Sequence, residues 1–375
     1  MLNKERLLND FLEMVRIPSA SKKEGVFAAY LQDKLEQMGF QVTVDTKAGQ
    51  TIGADLGNII GYLPGKSDGI PSLLFSAHMD TVYPCECIIP QIKDGMVCTD
   101  GTSILGADDK AGIAAILEAI RSLQEEGSAL GPLEVVFTIC EELGLLGARY
   151  LDYSLIRSKY GYVLDAGGEP GTIINRAPAQ DKFKATIYGK AAHAGFNPEE
   201  GISAIQVAAA AIAKMKLLRI DSETTANIGF ISGGGATNIV TDKVELQGEA
   251  RSLVNEKLDA QMTHLKECLE AACQEFGATL DLEEERSYQA FQVLEDDPIV
   301  QLAVKAAEEI GLPVRVMSTG GGSDVNYINT RGIKTINLGI GMSKVHTTEE
   351  YIKIDDLEKT TRLVAAIIKK AVTTA

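Results

Sequence analysis

The stretch "SAHMDTV", residues 76–82, follows the apolar run at 71–75 and sets His78 and Asp80 two residues apart. In an extended chain, positions i and i+2 face the same way. A histidine and a carboxylate sharing a face at a strand end can be a surface pair, a catalytic dyad, or a metal ligand beside the acid that orients it. The same arrangement recurs along the chain. Asp108 and Asp109 follow "SILGA", Glu141 and Glu142 follow "LEVVFTIC", Asp165 follows "YGYVL", and His346 comes shortly after "TINLGIG".

Taken singly, each has a plain explanation. Acidic pairs are favoured at helix starts by the helix dipole, and a lone histidine near a strand end is commonly a surface residue. Together they say more. The chain has only 4 histidines, and two of them occupy these positions. Two histidines with three or more carboxylates make a donor set for a pair of divalent, zinc-like ions. In open α/β sheets ligands bind outside the carboxyl ends of the strands, so the groups point to one place. The glycine runs Gly233–Gly235 and Gly320–Gly322 lack the Lys-Ser/Thr of a phosphate loop, which leaves nucleotide binding without support.

The elements that must position these groups alternate strand and helix through the first 175 residues, which reads as an α/β layer with a largely parallel sheet. Residues 180–290 have another rhythm, βαββαβ, with helices expected at 201–217 and 255–276, and suggest a separate small α+β sandwich. The α/β pattern returns after 297. Three units in line, or a middle unit inserted into one larger domain, would both give this order. A length of 375 residues favours two domains.

A formal charge of −16 argues against nucleic acid or an anionic membrane surface as partner. The 6 cysteines include no CxxC pair, which suits a reducing compartment and gives Cys85, Cys87 and Cys98 little claim to a metal. The N-terminal segment reads as an amphipathic helix whose Glu5, Asp10 and Glu13 rule out the apolar stretch of a signal peptide. The Ala-rich segment from 201 is too polar and too short to span a bilayer. A cytoplasmic location is the expectation.

The segments "SAHMDTV", "DGTSILGADDKAGIAAIL", "ICEELGLLGAR", "LDAGG" and "GKAAHAGFNPEEGISAI" together resemble the M20 family of di-zinc metallopeptidases. "TDGTSILGADDKAG" is most similar to the peptidase T branch, the tripeptide aminopeptidases. The resemblance implies a zinc-peptidase α/β fold, with helices on both faces of a mixed, largely parallel sheet. It also implies a discontinuous catalytic domain, 1–179 and 291–375, with 180–290 inserted as a lid and dimerisation domain.

The roles it implies are specific. His78 and Asp165 would bind one metal, Glu142 and His346 the other, and Asp108 would bridge both. Asp108 is preferred to Asp109 because it holds the first acidic position of the family's Asp-x-Lys pattern. Glu141 would be the general base for a metal-bridging water, and Asp80 would hold the His78 ring. His193 would steady the intermediate, often across a dimer, Arg251 would hold a substrate carboxylate, and Asn238 would contact a carbonyl. The cofactors would be two Zn2+ ions, with Co2+ or Mn2+ as alternatives, and the substrate a short peptide cut after its N-terminal residue. An amidase or deacylase acting on N-acyl or N-carbamoyl amino acids is the alternative within the family. A non-catalytic binding relative is disfavoured by the presence of Glu141.

Overall fold

The apolar runs that precede the polar groups form neighbouring strands in the computed structural model, which describes residues 2–65 and 69–374. Leu133–Thr138, Leu73–His78, Tyr160–Ala166 and Lys334–Gly339 lie side by side in that order, each parallel to the next. Every residue of Leu73–His78 and Leu133–Thr138 is buried, the pattern of strands covered on both faces. Asn58–Leu63 and Gln41–Asp45 extend the sheet antiparallel on one side. Thr172–Ala177 joins antiparallel on the other side, with Arg315–Ser318 parallel to it. The sheet is therefore mixed, with three parallel pairs at the centre and one at the side.

From Leu73–His78 the chain crosses through the helix Ala107–Glu125 to Leu133–Thr138 on one side, then to Tyr160–Ala166 on the other. His78 thus ends the strand at which the path changes side, where a crevice opens in such sheets. The helices Lys4–Val15, Ala107–Glu125, Pro298–Glu309 and Ile354–Thr374 pack on one another, and Thr46–Ile52, Leu146–Tyr150 and Asp324–Thr330 form a second group. Gly112 lets the helix approach the sheet closely, since a Cβ there would stand 2.4 Å from the Leu164 carbonyl oxygen.

Two local features depart from the sequence reading. Asp108 and Asp109 do not adopt helical backbone angles, and the peptide joining them is cis. A small four-stranded sheet, Gln91–Lys93, Met96–Cys98, Tyr351–Lys353 and Met342–Ser343, was not anticipated. It holds the loop that carries His346 between its last two strands.

By contact the chain divides into two units: Met1–Arg176 with Gln292–Ser318 and Ser323–Ala375, and Ala177–Phe291 with Thr319–Gly322. The second contains a five-stranded antiparallel sheet, ordered Leu218–Arg219, Thr224–Gly233, Lys243–Ser252, Ala179–Tyr188, Thr279–Tyr288. The helices Ala204–Lys214 and Asn255–Phe276 pack on it. Phe183, Ile187, Val207, Leu246, Leu265 and Leu269 lie in their shared core. No helix among the described residues is long and apolar enough to cross a membrane.

Candidate metal centre

Because the four central strands are parallel, their carboxyl ends share one edge, and the polar residues that follow them converge there. His78 is the last residue of its strand and is buried. Its Nδ1 lies 2.9 Å from the Asp80 backbone carbonyl oxygen. A carbonyl only accepts, so Nδ1 carries the proton and Nε2 presents a lone pair. That lone pair faces Asp108 Oδ1 at 3.0 Å and Asp165 Oδ1 at 3.7 Å. Acceptors facing acceptors at this range need a positive species among them, a proton or a cation.

Asp108 has one oxygen on each side of the cluster. Oδ1 faces His78, and Oδ2 stands 3.2 Å from His346 Nε2. Glu142 Oε1 lies 2.9 Å from the same nitrogen, buried and without hydrogen-bond geometry. Donor atoms within 4.8 Å of one another define three groups: His78, Asp108 and Asp165; Asp108, Glu142 and His346; and His78, Glu141 and Glu142. The first two share Asp108. This donor set, imidazole nitrogens with carboxylate oxygens, is one that divalent ions of the zinc type accept.

The electrostatics point the same way. Burial opposes a charged His78 ring, but Asp108, Asp165 and Asp80 outweigh it and hold the pKa well above the ordinary histidine value. Asp108 and Glu142 push His346 up to about 10. Despite burial, His346 and His78 hold Asp108 well below the usual carboxylate range. Burial, with the Asp165 charge added, pushes Glu141 well above that range. Burial also lifts Asp165 to about 7, against the pull of His78. So many carboxyl groups cannot all ionise in one buried place without cations beside them.

Several residues of the site are given no role in the sequence reading. Asp109 Oδ2 accepts the His78 backbone N–H at 3.2 Å, while its buried Oδ1 has no partner. Glu350 accepts the backbone N–H groups of Leu105, Gly106 and Asp108 at 2.8, 2.8 and 3.0 Å, and so fixes the loop that presents Asp108. Asp324 accepts the Thr138 hydroxyl at the end of a central strand. Its signal was an acid two residues after the glycine run 320–322, with Ser323 between them.

The turn bearing Glu141 and Glu142 is gripped by two further carboxylates. Asp80 accepts the Glu141 and Glu142 N–H groups at 2.8 and 3.2 Å and the Ser21 hydroxyl at 2.7 Å. Its carboxylate stands 3.6 Å from His78 Nδ1, so the ring is held mainly by the Asp80 main chain. Glu24, wholly buried, accepts the Cys140 N–H at 2.9 Å and its thiol at 3.3 Å. Cys140 has a positive φ of 52°, a conformation that such an anchor can hold in place.

The other expected site residues lie in the second unit and join none of the three donor groups. His193 is exposed, and its Nδ1 accepts the N–H groups of Gly195 and Phe196 at 3.1 and 3.2 Å. Its proton is therefore on Nε2. Asn238 gives its backbone carbonyl to Ala194 N–H at 2.9 Å. Arg251 pairs with Glu249 on the same strand.

Three comparisons bear on the whole chain. The family model described as peptidase family M20/M25/M40 matches residues 74–370. A Bacillus subtilis (strain 168) protein, named uncharacterized protein YqjE, is 47% identical over 371 residues, covering 99% of this chain and 100% of its own length. Among solved structures, an aminopeptidase PepT from Bacillus cereus is 47% identical with a TM-score of 0.94, covering 99% of each chain. A tripeptidase from Staphylococcus aureus is 40% identical with a TM-score of 0.97, covering 100% of both.

Proposed function

The chain belongs to peptidase family M20/M25/M40, and from that membership and the geometry of the cluster we propose that it is a metal-dependent aminopeptidase that releases the N-terminal residue from short peptides, tripeptides above all. The observation that carries the reading is the pair of donor groups sharing Asp108. The names borne by the Bacillus cereus and Staphylococcus aureus relatives supply the substrate class.

In this reading His78, Asp108 and Asp165 would hold one ion, and Asp108, Glu142 and His346 the other. Zn2+ suits two imidazoles with carboxylates, and Co2+ or Mn2+ accept the same donors. When bound, such ions polarise a scissile carbonyl and acidify a water. Glu141 is the general base: its carboxylate takes the proton of the attacking water and returns it to the departing amine nitrogen. Asp80 and Glu24 keep that carboxylate in place through the backbone of residues 140–142. The Asp80 carbonyl keeps the His78 lone pair on Nε2, and Glu350 keeps Asp108 in its loop.

Residues 180–290 serve as a lid and dimerisation domain on a catalytic domain formed by 1–179 and 291–375. His193 offers its Nε2–H to the developing oxyanion, Arg251 holds the substrate carboxylate, and Asn238 contacts a carbonyl. These groups reach the substrate by closure of the lid or from the second subunit of a homodimer. The test is hydrolysis of di-, tri- and tetrapeptides, free and N-acetylated, by the zinc-loaded protein. Release of the N-terminal residue from free tripeptides is expected. Cleavage confined to N-acylated substrates would overturn the reading in favour of a deacylase.

A further inference from the structure

Arg251 and Glu249 lie two residues apart on the strand Lys243–Ser252 and project from one face. Glu249 meets one edge of the guanidinium. Arg251 Nε donates to Oε1 at 2.8 Å and Nη2 to Oε2 at 3.3 Å. Glu249 is itself tethered, because Gln180 Nε2 donates to Oε2 at 2.6 Å. Gln180 stands opposite Arg251 in the register of the neighbouring antiparallel strand and is 4% exposed. The three side chains therefore form a row built on two paired strands.

A guanidinium has five N–H donors and two edges that can grip a carboxylate with two prongs. The Nε/Nη2 edge is taken. At the Nη1/Nη2 end the partner found is the Gly320 carbonyl oxygen, 3.4 Å from Nη1, a long contact that a better acceptor displaces. Two features set a tethered carboxylate apart from a loose competitor. Its second oxygen is anchored by a buried amide, and it binds the edge that leaves the end of the fork outward.

We propose that Glu249, tethered by Gln180, is a positioning residue that fixes Arg251 so that its Nη1/Nη2 end receives the C-terminal carboxylate of the peptide substrate. The inference rests on the role given to Arg251 above. An arginine so held loses less rotamer freedom on binding than a free one. Glu249 also cancels the Arg251 charge, so preference for a free carboxylate over an amide rests on the aim of the fork rather than on net charge.

The experiment compares one tripeptide with its C-terminal amide on the zinc-loaded enzyme. The amide has no carboxylate to clamp and serves as the internal reference for folding and chemistry. Glu249→Ala is expected to lower the acid-to-amide ratio of kcat/KM about tenfold, through KM for the acid. Gln180→Ala should lower it less, and Glu249→Gln, which keeps an oxygen for Nε–H, should recover part of the loss. A lower KM for the acid in Glu249→Ala would make Glu249 a competitor and overturn the inference. Equal losses on acid and amide would make it merely structural and also overturn it. Arg251→Ala separates the two layers. If it leaves the ratio unchanged, the role of Arg251 falls and the inference with it. If it erases the ratio while Glu249→Ala does not, only the inference falls.

Discussion

Glu24 is a buried carboxyl whose charge the fold tolerates poorly, and replacing it by glutamine should stabilise the protein at alkaline pH. Burial, with the Asp80 charge added, pushes its pKa up to about 7 from an ordinary value of 4.5. A carboxyl raised on folding binds more protons in the folded chain than in the unfolded one. Its favourable contribution is complete below the unfolded value and is lost as pH rises through the folded one. The gap corresponds to about 3 kcal/mol at pH 8, and to about 1 kcal/mol at pH 5.

Glutamine keeps the oxygen that accepts the Cys140 N–H and thiol. Its amide nitrogen replaces Oε2, a buried atom with no partner, much as the protonated acid would. The neutral states are thus matched, and the difference isolates the charge. Urea unfolding of the two proteins at equal metal content, at pH 8 and pH 5, reads it directly. Glu24→Gln should be more stable by about 3 kcal/mol at pH 8, with the advantage falling to about 1 kcal/mol at pH 5. A glutamine variant no more stable at pH 8, or equally advantaged at both, would refute the reasoning.

Other outcomes follow from the same contacts. Glu141→Gln should keep both ions but lose at least about a hundredfold in kcat, whereas Glu142→Gln should lose part of its bound metal. Matching metal content and activity in the two would show the roles to be misassigned. Stripping divalent ions with a chelator at pH 8 should lower Tm by about 5 °C or more, since ions held at a hundred times Kd contribute about 2.7 kcal/mol per site. An unchanged Tm would exclude ions bound to the folded cluster. Arg6 grips Glu118 at 2.6 and 3.0 Å, and Glu118 is almost wholly buried. Arg6→Leu should cost about 3 kcal/mol by leaving that buried carboxylate without its counter-ion, although the Asn3 N–H and Ser122 hydroxyl still donate to it, as thermal or urea unfolding would register.

The strand-end groups were legible because a parallel sheet turns a one-dimensional pattern, an apolar run then a polar residue, into one spatial edge. Spacing alone did not separate Asp108 from Asp109 or Glu141 from Glu142; the family resemblance ordered each pair. Glu350 and Glu24 were invisible for a different reason. Their partners are backbone N–H groups brought from far along the chain, and no local pattern records such a meeting. The strand Thr172–Ala177, separated only by Pro178 from Ala179–Tyr188, also escaped notice. Likewise Thr46–Ile52 is a single short helix interrupted by Gly49, capped by Asp45, whose side chain accepts the Ala48 N–H at 3.2 Å.

The grip of Glu350 on the loop at 105–108 has a consequence for the order of events during synthesis. Its bond to the Leu105 N–H spans 245 residues, so the N-terminal strands can pair long before that carboxylate leaves the ribosome. Until then the loop presenting Asp108 lacks its anchor, and His346, four residues earlier, is missing as well. Of the five proposed ligands, His346 alone is made that late, well after Asp165. A nascent chain that has not yet exposed His346 carries no complete centre to cleave its neighbours, and its capacity for hydrolysis waits on that loop.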